Sequence, residues 1–511
     1  MYVTRPLSLY KRNPSALSSP PPEGPNSGIL IIQDEEAQPT CCFGLFKSDQ
    51  VEDLPFPQNK NLRVSYTTSR GTDRPNDTSI NRVIFIPVLN QPLSSNQYYV
   101  IDRRGRHKGK VHTNATEDDV ATCCFGCCIP DMEPVPFDPK DVRQQFEIRK
   151  RGWGGYFAKS AAPDGFPPGF LRRKGWRVAT STARDFKLNE APGLDKNLRD
   201  RLPDFHFPLS QTSSASVVVG KWCCPFMFIK EGKLKDQLTA SRYYEMTLEQ
   251  RWEQIFACEN GLSGGNSVIV DAAVQREVIA VAGREVEPAE RNVVDGIMWF
   301  RSSSNAGGEE SVGLGLEIVD RMKWEQERAG WLGGDESTYV TVKRVEELGG
   351  IGGWKKHGCY VLVERFVLRR MDGSLVLTHD FKHTHQIRSN YHLIYLIHCC
   401  SFDPDQGPAL NQPLSSNQYY VVERKGKRKG EAYINSKEED MKTCCFCTSI
   451  SDLKPQPLDP INIYQQFEIQ HCKRGGFAAK SVAPDGFPPD FLRRKGWLAS
   501  VYLNFKGVPA K

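Results

Sequence analysis

Three histidines in one short run, His379, His383 and His385 of LTHDFKHTH, are the residues of this chain whose type and spacing could do metal chemistry. In an extended strand alternate side chains share a face, so the three imidazoles point the same way. The H-x-H step from His383 to His385 lets two of them converge on zinc. Asp380 or Glu364 would then complete a metal-assisted enzyme. Leu375, Leu377 and Phe381 lie on the same face, however, and imidazoles hydrogen-bonded inside a core satisfy the pattern equally well.

Cys124 and Cys127 form a C-x-x-C, which is half a zinc site or a redox pair. The related segments read TCCFC from Thr443 and TCCFG from Thr40, so the spacing is not kept between copies. Packing as small apolar side chains accounts for these cysteines, with S-acylation of CCFGCC as a further reading. Two basic segments offer binding surfaces. RRGRHKGK, with Arg103, Arg104, Arg106 and Lys108, could meet the phosphates of nucleic acid or anionic lipid, or simply be a solvated turn. FLRRKGW, with Arg172, Arg173 and Trp176, adds aromatic and basic character beside Phe166 and Phe170. The GLSGG around Ser263 has the letters of a nucleophile elbow but not its strand-to-helix setting, and neither GGIGGW nor SVGLGL is a phosphate loop.

The elements that must position these groups read as α+β and β-rich, mainly antiparallel sheets with a few helices. RVIFIPVL, YYVI, SVIVDAAV, EVIAVAG, VVDGIMWF and YVTVKRV are short β-branched or aromatic runs bounded by Gly, Asn or Asp. SVGLGLEIV predicts a strand with Val312, Leu314, Leu316 and Ile318 on one face. A helix is predicted over 247–258, from the capping box Thr247-x-x-Gln250 and the stripe Leu248, Trp252, Ile255 and Phe256. A second is predicted from Leu194, Leu198 and Leu202. Asp372-Gly373 predicts a hairpin over 359–385.

At 511 residues the chain is long enough for two or three cores. Its 67 Lys and Arg against 61 Asp and Glu leave +6, too little to name a polyanion partner. No run is long enough for a membrane-spanning helix, and MYVTRPLSLYKRNPSAL is not a secretory signal. A soluble cytoplasmic or nuclear protein with reduced cysteines is the expectation.

The stretch LNQPLSSNQYY occurs at Leu89–Tyr99 and again, letter for letter, at Leu410–Tyr420. Laid over each other without a gap, residues 89–176 and 410–497 are identical at 53 of 88 positions. One long piece has been copied once, unlike a solenoid. The expected organisation is a flexible Pro/Ser-rich arm (1–28), a β-rich domain with two TCCFG units (29–215) and a second α+β domain (216–389). A junction (390–409), the partial duplicate (410–497) and a tail (498–511) follow. The junction matches nothing else in the chain, as expected where tandem genes are joined in the genome or in gene prediction. Lacking the duplicate's original neighbours, Phe467, Ile469, Phe487 and Phe491 are expected to stay wet.

TCCFG, LNQPLSSNQYYV, APDGFPPGFLRRKGW, VVVGKWCCPFMFIKEG, YYEMTLEQRWEQIFACEN and DFKHTHQIRS together resemble the plant proteins grouped as a domain of unknown function, DUF1262. The resemblance implies a plant protein and carries no fold, activity or site residues with it. The expected function is a non-catalytic binding or interaction protein, in stress or defence responses, with a protein partner. The alternative is a zinc-assisted enzyme using the three histidines.

Overall fold

The computed structural model describes the chain except residues 42–45, 69–76, 124–125, 261–266, 288–289, 303–309, 332–337, 348–353, 394–417, 424–426, 445–446, 460–461, 473–476 and 496–511. It is β-rich and mostly antiparallel, with few helices. Its backbone is a nine-stranded sheet. Across it lie Gly28–Ile32, Tyr2–Pro6, Val217–Pro225, Tyr243–Glu259, Trp354–Arg370, Leu375–Leu393, Glu277–Val281 and Arg284–Glu285, with Gly193–Leu194 attached to Val217–Pro225.

The predicted flexible arm is instead the start of this sheet. Tyr2–Pro6 pairs in parallel with Gly28–Ile32 and antiparallel with the Val217–Pro225 strand, and Met1, Tyr2 and Val3 are buried. The apolar run Met1–Tyr2–Val3 found strand partners that a local reading of the Pro and Ser content does not see. The sheet also crosses the expected boundary at 215–216, since Tyr2–Pro6 and Gly193–Leu194 pair with Val217–Pro225.

Residues 247–258 are the clearest correction. They lie in a strand of 17 residues, Tyr243–Glu259, not in a helix. Tyr244, Met246, Leu248, Gln250 and Trp252 alternate onto one face, a period of two that the i, i+4 match of Leu248 and Trp252 had masked. A bulge between Gln254 and Phe256 shifts the parity and brings Ile255 and Phe256 into the apparent stripe. Pairing on both sides, to Val217–Pro225 and Trp354–Arg370, overrides the local capping signal. SVGLGLEIV also divides. Val312 and Leu314 are strand residues, but Leu316 and Ile318 begin the helix Leu316–Glu327, because Gly315 caps it and Ile318, Val319, Met322 and Gln326 then recur at helical spacing. The leucines at 194, 198 and 202 surround a short helix, Lys196–Arg201, capped by Asp195, whose carboxylate accepts from Leu198 N at 2.9 Å. The Asp372-Gly373 hairpin is present and longer than expected, joining Trp354–Arg370 to Leu375–Leu393.

Beside the large sheet sit two four-stranded sheets. One orders Gln50–Val51, Arg177–Thr182, Lys60–Thr68 and Asp77–Asn81. The other orders Tyr156–Ser160, Gln145–Lys150, Gln97–Asp102 and Val83–Pro87. They share an aromatic core of Phe56, Phe85, Tyr98, Phe146, Tyr156 and Trp176. Each of the three TCCF segments opens a small hairpin, Thr40–Cys41 with Phe46–Lys47, Ala121–Cys123 with Gly126–Cys128, and Met441–Cys444 with Cys447–Ile450. The C-x-x-C lies partly outside the described residues, as do GLSGG and most of the junction. Cys223 and Cys224 are buried in the large sheet.

The duplicate has a core of its own: Val421, Phe467, Ile469, Ala479 and Leu492 are buried, with Phe491 packed against them and Phe487 half-buried. The expectation that Phe467 and Ile469 stay wet fails because a three-stranded sheet, Gln418–Tyr420, Gln466–His471 and Phe477–Ser481, is enough to cover them. Among the described residues no helix is long and apolar enough to cross a membrane.

Candidate functional site: a basic pocket

The RRGRHKGK turn follows the strand Gln97–Asp102, and its backbone closes on itself. Gly109 N donates to Asp102 O at 2.8 Å and Lys110 N to His107 O at 2.9 Å. Gly105 and Gly109 both have φ of +87°, a conformation open to glycine and strained for other residues. Gly109 also lets the turn approach the helix Leu234–Ala240, where a Cβ would meet Leu234 Cγ at 2.8 Å. Lys108 Nζ donates to Thr239 Oγ1 of that helix. The turn is thus held against the large-sheet side of the molecule rather than left free in solvent.

This placement encloses a pocket of about 920 Å³. Arg103, Arg104 and Lys108 line it, joined by Arg63 from Lys60–Thr68, Arg82 before Val83–Pro87, Arg184 after Arg177–Thr182, and Arg242 at the start of the long strand. Against these seven cations the lining contains one carboxylate, Asp185. That carboxylate is already engaged: Arg242 Nη2 donates to Asp185 Oδ2 at 2.9 Å, Arg242 Nη1 to Asn61 Oδ1 at 2.9 Å, and Asn61 Nδ2 to Asp185 Oδ1 at 3.3 Å. Arg242 is itself buried and lies 3.8 Å from the ring centroid of Phe186. Arg63 pairs outward with Asp49 at 2.7 Å. Arg103 is also drawn to Asp185, while Arg82, Arg104 and Arg184 form no side-chain hydrogen bond or ion pair among the described residues.

Burial pushes the Arg103 guanidinium down to about 10, and the neighbouring charges of Arg242 and Arg104 add to the fall. Its Nε is buried without an acceptor, as is that of Arg242. Asp185 loses hydration, but Arg242 and the Asn61 hydrogen bond hold it below the ordinary carboxylate range. The pocket therefore has a surplus of positive charge: Arg63, Arg82, Arg104 and Arg184 are exposed at its rim, and Arg103 and Arg242 are the desolvated cations deeper in it, where an anion interacts more strongly than at an open surface.

Other expected binding residues lie elsewhere. Arg106 is exposed on the same turn but does not line the pocket. Trp176 is a core residue with no exposed surface, its Nε1 donating to Leu171 O at 2.8 Å. Arg172 donates to Pro167 O, and Arg173 lies over the Tyr66 ring. Arg63, Arg82, Arg184 and Arg242 were missed in the sequence because each is a single cation in its own segment. Only tertiary structure collects them.

The three histidines are divided. His379 Nε2 lies 3.3 Å from Glu277 Oε2 and its ring stacks on Phe381. His383 and exposed His385 are neighbours, ring centroids 5.4 Å apart. Asp380 turns to the opposite face, where Arg251 and Arg365 hold it. Among the described residues no group of three His, Cys, Asp or Glu side chains is placed to hold a metal ion.

His383 belongs instead to a buried, charge-balanced network beneath the helix Leu316–Glu327. Glu364 accepts from Arg199 Nε, Gln250 Nε2 and Gln326 Nε2, each at 2.8 Å. Arg199 and Arg321 also reach Glu325, at 3.2 and 2.6 Å. Since the Gln326 amide nitrogen donates to a carboxylate, its Oε1 accepts from His383 Nε2–H at 2.9 Å, which fixes the tautomer. Burial pushes His383 down to about 4 against the pull of Glu364, so its ring is neutral at pH 7.

Comparisons with known proteins add one family. Residues 23–125 and 406–446 match the family described as protein of unknown function (DUF1262), and the two matches end at equivalent residues of the duplication, Phe125 and Phe446. No curated protein matches. Among solved structures the chain is similar to one titled "Crystal structure of Cry35Ab1", at 11% identity and a TM-score of 0.36, over 66% of this chain and 90% of that one.

Proposed function

We propose that this protein is a non-catalytic binding protein whose basic pocket takes an anionic ligand. The observation that carries this reading is the set of four arginines, Arg82, Arg103, Arg104 and Arg184, that converge on one cavity, where Arg103 shares Asp185 with Arg242 and the other three have no carboxylate partner among the described residues, in a chain whose overall charge is close to balanced. Arg82, Arg104 and Arg184 are solvated, Arg103 is half-buried, and arginines gathered in a concavity are what a planar, bidentate anion requires. Binding is favoured over turnover because, among the described residues, no His, Cys or Glu lines the pocket and its one carboxylate is tied to Arg242. Nucleic acid and anionic lipid, expected from the basic turn, are within this class.

Titration calorimetry with citrate, tripolyphosphate and a short oligonucleotide tests it. At least one of them binds the wild type, and the Arg82→Gln/Arg103→Gln variant loses that binding by about a hundredfold, two charge-assisted contacts each contributing about 1.4 kcal/mol or more. Equal binding by the two proteins, or none by either, overturns the proposal.

A further inference from the structure

We propose that the occupant of the basic pocket is a compact small molecule bearing two or three phosphoryl groups, bound in the joint between the small sheets and the large sheet. This rests on the anion-binding reading above and names the ligand class for it.

The charge sets the number of groups. Of the seven lining cations, Arg63 is matched by Asp49 and Arg242 by Asp185, which also attracts Arg103, so the remaining five, Arg82, Arg103, Arg104, Lys108 and Arg184, outnumber the carboxylates beside them among the described residues. A phosphoryl monoester carries roughly −1.5 to −2 at neutral pH, so two or three of them match this surplus, whereas a single carboxylate or phosphate does not. The residue type points the same way, since four of the five are arginines, whose guanidinium fork matches two phosphoryl oxygens at once.

The shape sets the size. At about 920 Å³ the cavity lies within the range of roughly 300–1,000 Å³ typical of small-molecule sites. A single-stranded polynucleotide needs a groove with aromatic platforms for its bases, and among the described residues no aromatic side chain lines this pocket. A membrane or a polymer would also engage the outward-facing part of the same turn, Arg106, as readily as the enclosed part. A compact ligand touches Arg103 and leaves Arg106 alone. The position adds a consequence. The walls come from the Arg103 turn, Arg82 and Arg184 on one side and from Thr239 and Arg242 on the other, so a multivalent anion ties the small sheets to the large one.

Tripolyphosphate, orthophosphate, a twelve-nucleotide single strand and vesicles containing phosphatidylserine serve as probes, measured by calorimetry and by thermal melting at fixed ionic strength. Tripolyphosphate is expected to bind one to one, about tenfold or more tighter than orthophosphate, and to raise the melting temperature. Arg103→Gln and Arg184→Gln each weaken it by about tenfold, while Arg106→Gln leaves it unchanged. The melting of each variant without ligand shows that it is folded. If the oligonucleotide or the vesicles bind more tightly than tripolyphosphate, or if Arg106→Gln weakens binding as much as Arg103→Gln, the compact-ligand proposal fails while anion binding stands. If no probe binds, both fail.

Discussion

Two clusters of charge lie in this molecule, and they are built on opposite rules. Beneath the helix Leu316–Glu327, Arg199 and Arg321 face Glu325 and Glu364, every charge is within hydrogen-bonding reach of an opposite one, and all four residues are almost fully buried. In the basic pocket, seven cations face one carboxylate that is already engaged. The first arrangement is complete in itself and needs nothing from outside. The second keeps like charges together at a cost in stability, which is expected where a ligand supplies the missing charge. Balance, more than the presence of charged or titratable residues, separates the structural cluster from the candidate site.

The largest test of this contrast removes one partner from the balanced cluster. Arg199→Met leaves Glu364 and half of Glu325 uncompensated in the interior. Breaking a buried pair in this way costs about 3–5 kcal/mol, so chemical denaturation should show a loss of that size. Tripolyphosphate binding per folded molecule should not change, because Arg199 lies outside the basic pocket. A variant that kept its stability would show that the network does not hold the helix to the sheet.

His383 gives a second, smaller test through pH. In the folded protein its proton affinity is lowered to about 4, against an ordinary value of 6.5. Between those values the unfolded chain binds a proton there that the folded chain refuses, so stability falls as pH drops from about 6.5 to about 4 and is constant above. At about 1.4 kcal/mol per unit, the contribution totals about 3 kcal/mol. His383→Gln cannot take up the proton, and over that window its stability curve should be flatter than the wild type's. Parallel curves would mean that His383 titrates normally. Burial sets most of the shift, and the neighbouring charges of Glu364, His385 and Arg199 adjust it.

How much of this was legible in the sequence follows from the range of the interactions. The hairpin at Asp372-Gly373, the β-rich character and the duplication are local or repeated signals, and they appear where the sequence places them. Three of the pocket's cations, Arg103, Arg104 and Lys108, were visible because they lie close together on one turn. Arg63, Arg82, Arg184 and Arg242 were not, since no local pattern marks an isolated arginine: Arg82 meets Arg103 across a strand pair, and the others come from a separate sheet or from far along the chain. The strand Tyr243–Glu259 was misread for a related reason: its helical stripe and cap are local, whereas the two strands that flank it come from elsewhere in the chain. Among the histidines the shared face was legible, but not the Glu277 and Gln326 partners that draw His379 and His383 apart.

The duplicate sharpens the contrast in charge, because it repeats the same turn without the same surroundings. Much of the local scaffolding is copied. Asn114 and Asn435 each donate to the two equivalent carbonyls, those of Arg143 and Gln145 and of Tyr464 and Gln466. In the second turn, however, Lys110 is replaced by Glu431, which pairs with Arg428 at 3.1 Å, and Arg428 also donates to Pro455 O at 2.7 Å. Neutralising one arginine in each turn should therefore move ligand-free stability in opposite directions. Arg103→Gln removes a cation crowded by Arg104 and Arg242, so it should raise stability slightly. Arg428→Gln removes a satisfied one, so it should lower the stability of the duplicate slightly. Both charges are part-exposed and screened, so each change should be about 0.5 kcal/mol or less, read as a small shift in denaturation midpoint at low salt. Raising the salt should shrink the gain from Arg103→Gln. If Arg103→Gln lowers ligand-free stability instead, its guanidinium is satisfied in the folded protein and the pocket has less unmatched charge to offer a ligand.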